Sequence, residues 1–169
     1  MFKVIIWATD GSREADHALS YAKGLAQAED AELLVVHVDE FHVGRGGSHS
    51  VLVNEAEVQT GIRKQVDNLR RQGLRATLKV VRVGVGAAAQ AISEIAKQQG
   101  ANLIVTGTRG HGPLSGLLLG SVPHRLTRWA TCPVMVVPLQ PPPDARHRKR
   151  VVRSNVLTRP ADALLSLSN

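Results

Sequence analysis

Residues 2–38 read FKVIIWATDGSREADHALSYAKGLAQAEDAELLVVHV, and this stretch decides the fold class. Phe2–Ala8 is β-branched and apolar, as a strand buried on both faces is. Residues 12–28 place Ala15, Ala18, Leu19, Ala22, Leu25 and Ala26 at helical spacing, with Ser12 as the expected N-cap. Glu32–Val38 repeats the doubly buried strand. A strand, a helix and a second such strand make a βαβ unit, in which the strands run parallel and the crossover is right-handed.

The same alternation continues outward. Residues 40–50 (EFHVGRGGSHS) are a polar, glycine-rich loop. Residues 51–72 predict a helix with Val58, Ile62, Val66 and Leu69 on one face and Gly73 as its stop. Residues 74–83 form a third strand, 87–99 a helix ending at Gly100, and 102–106 a fourth strand. Residues 121–131 are a short helix, with Leu126 and Trp129 expected to face the core, and 133–137 a fifth strand. The expectation is an α/β fold, a doubly wound, five-stranded parallel sheet with helices on both faces. In such sheets ligands bind beyond the carboxyl ends of the strands, here near Asp10, near Val38 and within 107–122.

Charge narrows the function classes. The 169 residues carry 21 Lys and Arg against 14 Asp and Glu, a net +7. The five aromatic residues, Phe2, Trp7, Tyr21, Phe41 and Trp129, are too few for a base-stacking platform. Residues 139–169 hold six of the basic side chains (Arg146, Arg148, Lys149, Arg150, Arg153 and Arg159) against Asp144 and Asp162. Residues 1–138 are therefore nearly balanced, and more than half of the excess belongs to a basic C-terminal extension read as flexible. Contact with nucleic acid or an anionic membrane is expected, if at all, through that extension. Cys132 is the single cysteine, which fits a reducing compartment and a cytoplasmic location. The opening apolar run is too short for a signal peptide, and no stretch approaches the length of a membrane span.

The segment after the fourth strand is the most informative. Gly107 and Gly110 permit a close backbone turn, and Gly120-Ser121 opens a helix whose free N–H groups suit a phosphate. Ser121 is positioned to add a hydroxyl and to cap that helix, and Arg109 or His111 to supply charge. Other signals are weaker. Residues 84–89 match the form GxGxxA, but they follow the third strand and lack the acidic residue a dinucleotide site has about 20 positions on. There is no GxxxxGKS/T, and Ser115 in GPLSG is not a nucleophile elbow. The histidines show no metal-binding spacing, although His42 and His49 share one loop. His37 reads as a hydrogen-bonded core residue and Cys132 as packing.

The segment TGTRGHGPLSGLLLGSV (residues 106–122), followed by TCPVMVVP, resembles the universal stress protein family. ATP-binding members carry G-x2-G-x9-G-S/T, and Gly107, Gly110, Gly120 and Ser121 match every fixed position. The opening WATDGS and the second-strand HVDE are similar as well. The resemblance covers residues 2–138 and implies a Rossmann-like sheet of order 3-2-1-4-5. It implies ATP or another adenine nucleotide, with Mg²⁺ on the phosphates. Asp10 then lies near adenine and ribose, Val38 contacts adenine, and Gly107, Gly110, Gly120, Ser121 and Val122 hold ribose and phosphates. Thr9, Thr106 and Arg109 complete the expected cofactor-binding set. A homodimer through the last strand, Pro133 to Val137, is also implied. No residue set offers an evident general base for attack on the γ-phosphate, so hydrolysis is expected to be slow or absent. The alternative is a protein-interaction module acting through dimerisation or the basic extension. The chain departs from the family at Pro123, where Ser, Thr or Ala is frequent, at Thr106, at Ala8 and at the helix entry Gly86-Ala87-Ala88.

Overall fold

The computed structural model describes residues 1–45, 47–110 and 119–139. His111, Ser115 and the extension from 140 onward lie outside the described residues. In chain order the elements are β1 (Val4–Thr9), α1 (Arg13–Glu29), β2 (Glu32–Gly44), β3 (Gly47–Ser50), α2 (Glu55–Arg71), β4 (Ala76–Gly84), α3 (Ala88–Gln98), β5 (Leu103–Gly107), α4 (Ser121–Trp129) and β6 (Val134–Val137). The parallel strands lie in the order β4-β2-β1-β5-β6. In order of appearance these are strands 3-2-1-4-5, so the fold is the expected doubly wound α/β sheet.

Successive side chains of a strand point to opposite faces, and β1, β2 and β5 are apolar on both. Ile5, Trp7, Leu33, Val35, Leu103 and Val105 pack with α1 and α2. Ile6, Ala8, Leu34, Val36 and Ile104 pack on the other face with α3 and Leu126 of α4. Burying such a side chain contributes about 1.5–3 kcal/mol, and most of these are fully buried. Ser12 caps α1 as expected, its hydroxyl accepting from the Ala15 amide at 3.3 Å.

Three expectations are corrected. Residues 40–50 are not a loop: β2 runs on to Gly44 and pairs antiparallel with β3, matching His42 to His49 and Gly44 to Gly47. The sheet therefore has six strands. Phe41 pairs with Gly84 of β4 and with Ser50 of β3, so β3 lies on the opposite side of β2 from β4, beyond the end of β1. Secondly, Trp129 does not face the core. It is half exposed, with the Arg125 guanidinium over its ring at 5.9 Å. Leu126, one turn earlier, is fully buried. Thirdly, Gly120 occupies the N-cap of α4, which leaves Ser121 as the first helical residue with no capping role.

Candidate functional site

A cavity of about 300 Å³ opens at the carboxyl ends of the central strands. β1 contributes Ala8 and Thr9, with Asp10 just beyond. β2 contributes Val36, Val38 and Glu40, whose even numbering puts them on one face of the strand. Val51 and Leu52 follow the β2–β3 hairpin. Ala88 and Ile92 come from α3, Thr106 from β5, Arg109 and Gly110 from the loop after it, and Gly120, Ser121, Val122 and Pro123 from the start of α4. The two flanks differ. Over β2 the lining is mostly apolar; over β5 it is polar and meets the N-terminus of α4. β2 and β5 flank β1 on opposite sides, so the cavity suits a ligand with a flat apolar part at one end and an anion at the other.

The anionic end is built from backbone. The Gly120 amide donates to the Thr108 carbonyl at 2.7 Å, tying the loop to the helix start. The His124 amide makes the first turn's bond, to the Gly120 carbonyl. The Ser121 and Val122 amides therefore point out of the helix end, where its dipole favours negative charge. Pro123, the third helical residue, has no N–H to add. The loop comes so close that a Cβ on Gly110 would sit 1.9 Å from Asp10 Oδ2, and one on Gly120 3.3 Å from the Thr108 carbonyl oxygen. Asp10 is held in turn by the Ser12 amide, which donates to Oδ1 at 3.0 Å.

Of the residues expected to bind, Thr9, Asp10, Val38, Thr106, Arg109, Gly110, Gly120, Ser121 and Val122 all line this cavity; Gly107 does not. It follows Thr106 on β5 and so faces the other way. A Cβ there would lie 2.7 Å from the Glu14 carbonyl carbon, in the backbone of α1. Its role is the close packing of helix on strand. Gly107→Ala is expected to destabilise the protein by about 2 kcal/mol through this clash. Urea unfolding checks it, and an unchanged midpoint would contradict the assignment.

Sequence reasoning missed Ala8, Ala15, Val36, Glu40, Val51, Leu52, Ala88, Ile92 and Pro123 as lining residues. Carrying the alternation of β2 past Val38 would have found Glu40. This carboxylate accepts from the amides of Gly86 at 2.8 Å and Ala88 at 3.3 Å. It thus fills the N-terminus of α3, where the GxGxxA reading would put a dinucleotide phosphate, with an anion of the chain's own.

Behind the site, on the opposite face of β2, His37 is fully buried as a hydrogen-bonded core residue. Its Nδ1 donates to the Thr9 carbonyl at 2.9 Å, and its Nε2 lies 2.7 Å from Glu55 Oε1. A carbonyl only accepts, so Nδ1 is the donor in that bond, which fixes the carbonyl next to Asp10. Gln59 Nε2 donates to the same carboxyl oxygen at 2.9 Å. Cys132 is partly buried beside the second apolar cluster, and burial pushes its thiol up, away from the reactive thiolate. No group of three or more metal-ligating side chains occurs among the described residues, and no helix among them is long and apolar enough to cross a membrane.

The model of the Universal stress protein family matches residues 1–138. The chain is 35% identical to the universal stress protein YxiE of Bacillus subtilis over 150 residues, which cover 81% of this chain and 99% of the relative. Its structure is similar to that of a universal stress protein solved in complex with cAMP, with a TM-score of 0.60, 25% identity, and coverage of 80% of this chain and 97% of the other. It also shares its fold with the universal stress protein UspA from Lactobacillus plantarum, at a TM-score of 0.62, 23% identity, and coverage of 80% and 97%.

Proposed function

The chain belongs to the universal stress protein family, and from that premise we propose that it binds an adenine nucleotide, ATP with Mg²⁺, and acts as a nucleotide-dependent regulatory module of the stress response. The observation that carries this reading is the cavity's polarity. A flat apolar flank over β2 meets the backbone amides of Ser121 and Val122 at the far end. The glycine cradle fits phosphate, since a side chain at Gly110 would occupy the space beside Asp10. A relative solved with cAMP supports the adenine part of the reading.

In this arrangement the adenine rests on Val38 with Val36, Ile92 and Leu52 around it. Thr9 and Asp10 meet the ribose. Thr106, Arg109, Gly110, Gly120, Ser121 and Val122 hold the phosphates, to which Mg²⁺ supplies charge neutralisation. Hydrolysis is slow or absent, because among the described residues the two carboxylates lining the cavity are both tied to backbone amides, Asp10 to Ser12 and Glu40 to Gly86 and Ala88. Isothermal titration of the full chain with ATP and Mg²⁺ tests the reading. Saturable binding at one site per chain is expected, and no heat from folded protein would overturn it.

Two further features complete the proposal. Among the described residues β6 pairs on one side only, with β5, and Val134, Met135 and Val136 are only partly buried. Such an edge invites a second copy, and a monomeric mass at micromolar concentration would exclude that homodimer. The location is cytoplasmic, in keeping with the single unpaired thiol. Residues 139–169 are a basic extension appended to this module.

A further inference from the structure

We propose that His42 and His49 form a two-imidazole site for a late first-row divalent ion of the Zn²⁺, Ni²⁺ and Cu²⁺ class. Seven positions apart, they share no recognised ligand spacing. The β2–β3 hairpin makes them direct cross-strand partners. Directly opposed residues of an antiparallel pair put both side chains on the same face, their Cβ atoms about 4.5–5.5 Å apart. The ring centres stand 6.3 Å apart with the rings tilted by 49°. An ion bound about 2.1 Å from one nitrogen of each ring lies about 3.2 Å from each ring centre, so one ion spans rings up to about 6.4 Å apart. A small rotation at either side chain closes the angle.

The surroundings agree with this chemistry. Both rings are exposed, so an ion reaches them without passing through the fold. Gly44 and Gly47, the next pair on the same face, leave room above the rings. Imidazole selects zinc, nickel and copper over magnesium, which takes oxygen ligands. Among the described residues no third ligand joins the pair, so water fills the remaining positions and the affinity is that of a bidentate site. His42 continues the even-numbered face of β2 that carries Val38 and Glu40, and the Val51 amide bonds the Glu40 carbonyl at 2.7 Å just inside it. A bound ion therefore staples the hairpin whose continuation lines the cavity. The site does not depend on the nucleotide reading.

The test is titration of the nucleotide-free full chain with Ni²⁺ and with Zn²⁺, repeated on His42→Ala, His49→Ala and, as a control, His124→Ala. The expected result is saturable binding that weakens at least about tenfold in either hairpin variant, stays unchanged in the control, and does not respond to excess Mg²⁺. Hydrogen exchange of the Phe41–Ser50 amides slows severalfold with Ni²⁺ in the parent and not in His42→Ala. No saturable binding, or binding that survives both hairpin substitutions, overturns the proposal. Both rings are exposed, so the variants keep their fold, which circular dichroism verifies.

Discussion

On the proposed nucleotide reading, Gly110→Val is expected to raise the Kd for ATP by at least about 100-fold, equivalent to about 2.7 kcal/mol, while the melting temperature stays within a few degrees of the parent. The first half follows from the 1.9 Å separation between a Cβ at this position and Asp10 Oδ2. No rotamer relieves that overlap, because Cβ is fixed by the backbone. Either Asp10 leaves its bond to the Ser12 amide or the 107–110 loop backs away from α4. Each disturbs the cavity wall at the anionic end. The second half follows from position. Gly110 is exposed, and among the described residues the nearest atoms to such a Cβ all belong to Asp10, so the folded state loses little. Gly107, three residues earlier in the same motif, behaves in the opposite way: its substitution costs stability, because α1 packs against it. Titration calorimetry paired with thermal melts separates the two, and a Gly110→Val protein that binds normally would show the cavity assignment to be wrong.

The largest loss of stability is expected at Glu55. Glu55→Ala removes the partner of a ring that is fully buried and already committed to the Thr9 carbonyl. His37 Nε2 then faces a void with its polar atom unsatisfied. Breaking a buried pair from one side typically costs about 3–5 kcal/mol. At the lower end of that range, the melting temperature falls by roughly 10 °C for a chain of this size. Glu55→Gln is expected to be milder, since its amide keeps a donor within reach of the ring and an oxygen for Gln59. Chemical denaturation of the two variants checks the ranking; equal losses would mean that volume rather than hydrogen bonding sets the cost.

The strands buried on both faces were legible because both alternating sets are apolar. Residues 4–9, 32–38 and 103–107 leave no other solution than a covered parallel sheet. The helix stops were legible too: Gly73 and Gly100 adopt φ of 84° and 61° beyond the ends of α2 and α3. The hairpin was not legible. Gly47, Ser48, His49 and Ser50 give β3 no apolar face, and its register is fixed by backbone bonds that leave no hydropathy signal. Glu55 hid for a related reason. An acidic residue in the first turn of a helix reads as a solvated partner of the dipole, and only His37, on a strand packed against it, makes it a buried one. Trp129 misled by its size. The apolar stripe of α4 is one residue wide at Leu126, and the indole lies off it, under Arg125. As for the candidate site, the glycine spacing pointed to segments that line the cavity, whereas Gly107 is set apart from Gly110 because it still lies on β5 and faces α1.

The order of the strands also bears on how the chain is made. Among the described strands, β1 is made before the others and lies at the centre of the sheet, and β6 is made after them and lies at an edge. Residues 8–52 supply one flank of the cavity and residues 106–123 most of the other. Parallel strands meet only after long crossovers close, so such contacts form late, and N-terminal segments emerge first during synthesis. A nascent chain with β1, β2 and β4 in place has half a wall and nothing to hold a ligand. Only a chain that extends through Pro123 would gain from occupancy, by about 2.7 kcal/mol when the ligand stands at a hundred times its Kd. A ligand of this cavity would therefore stabilise chains that have reached the start of α4 and leave shorter ones without that protection.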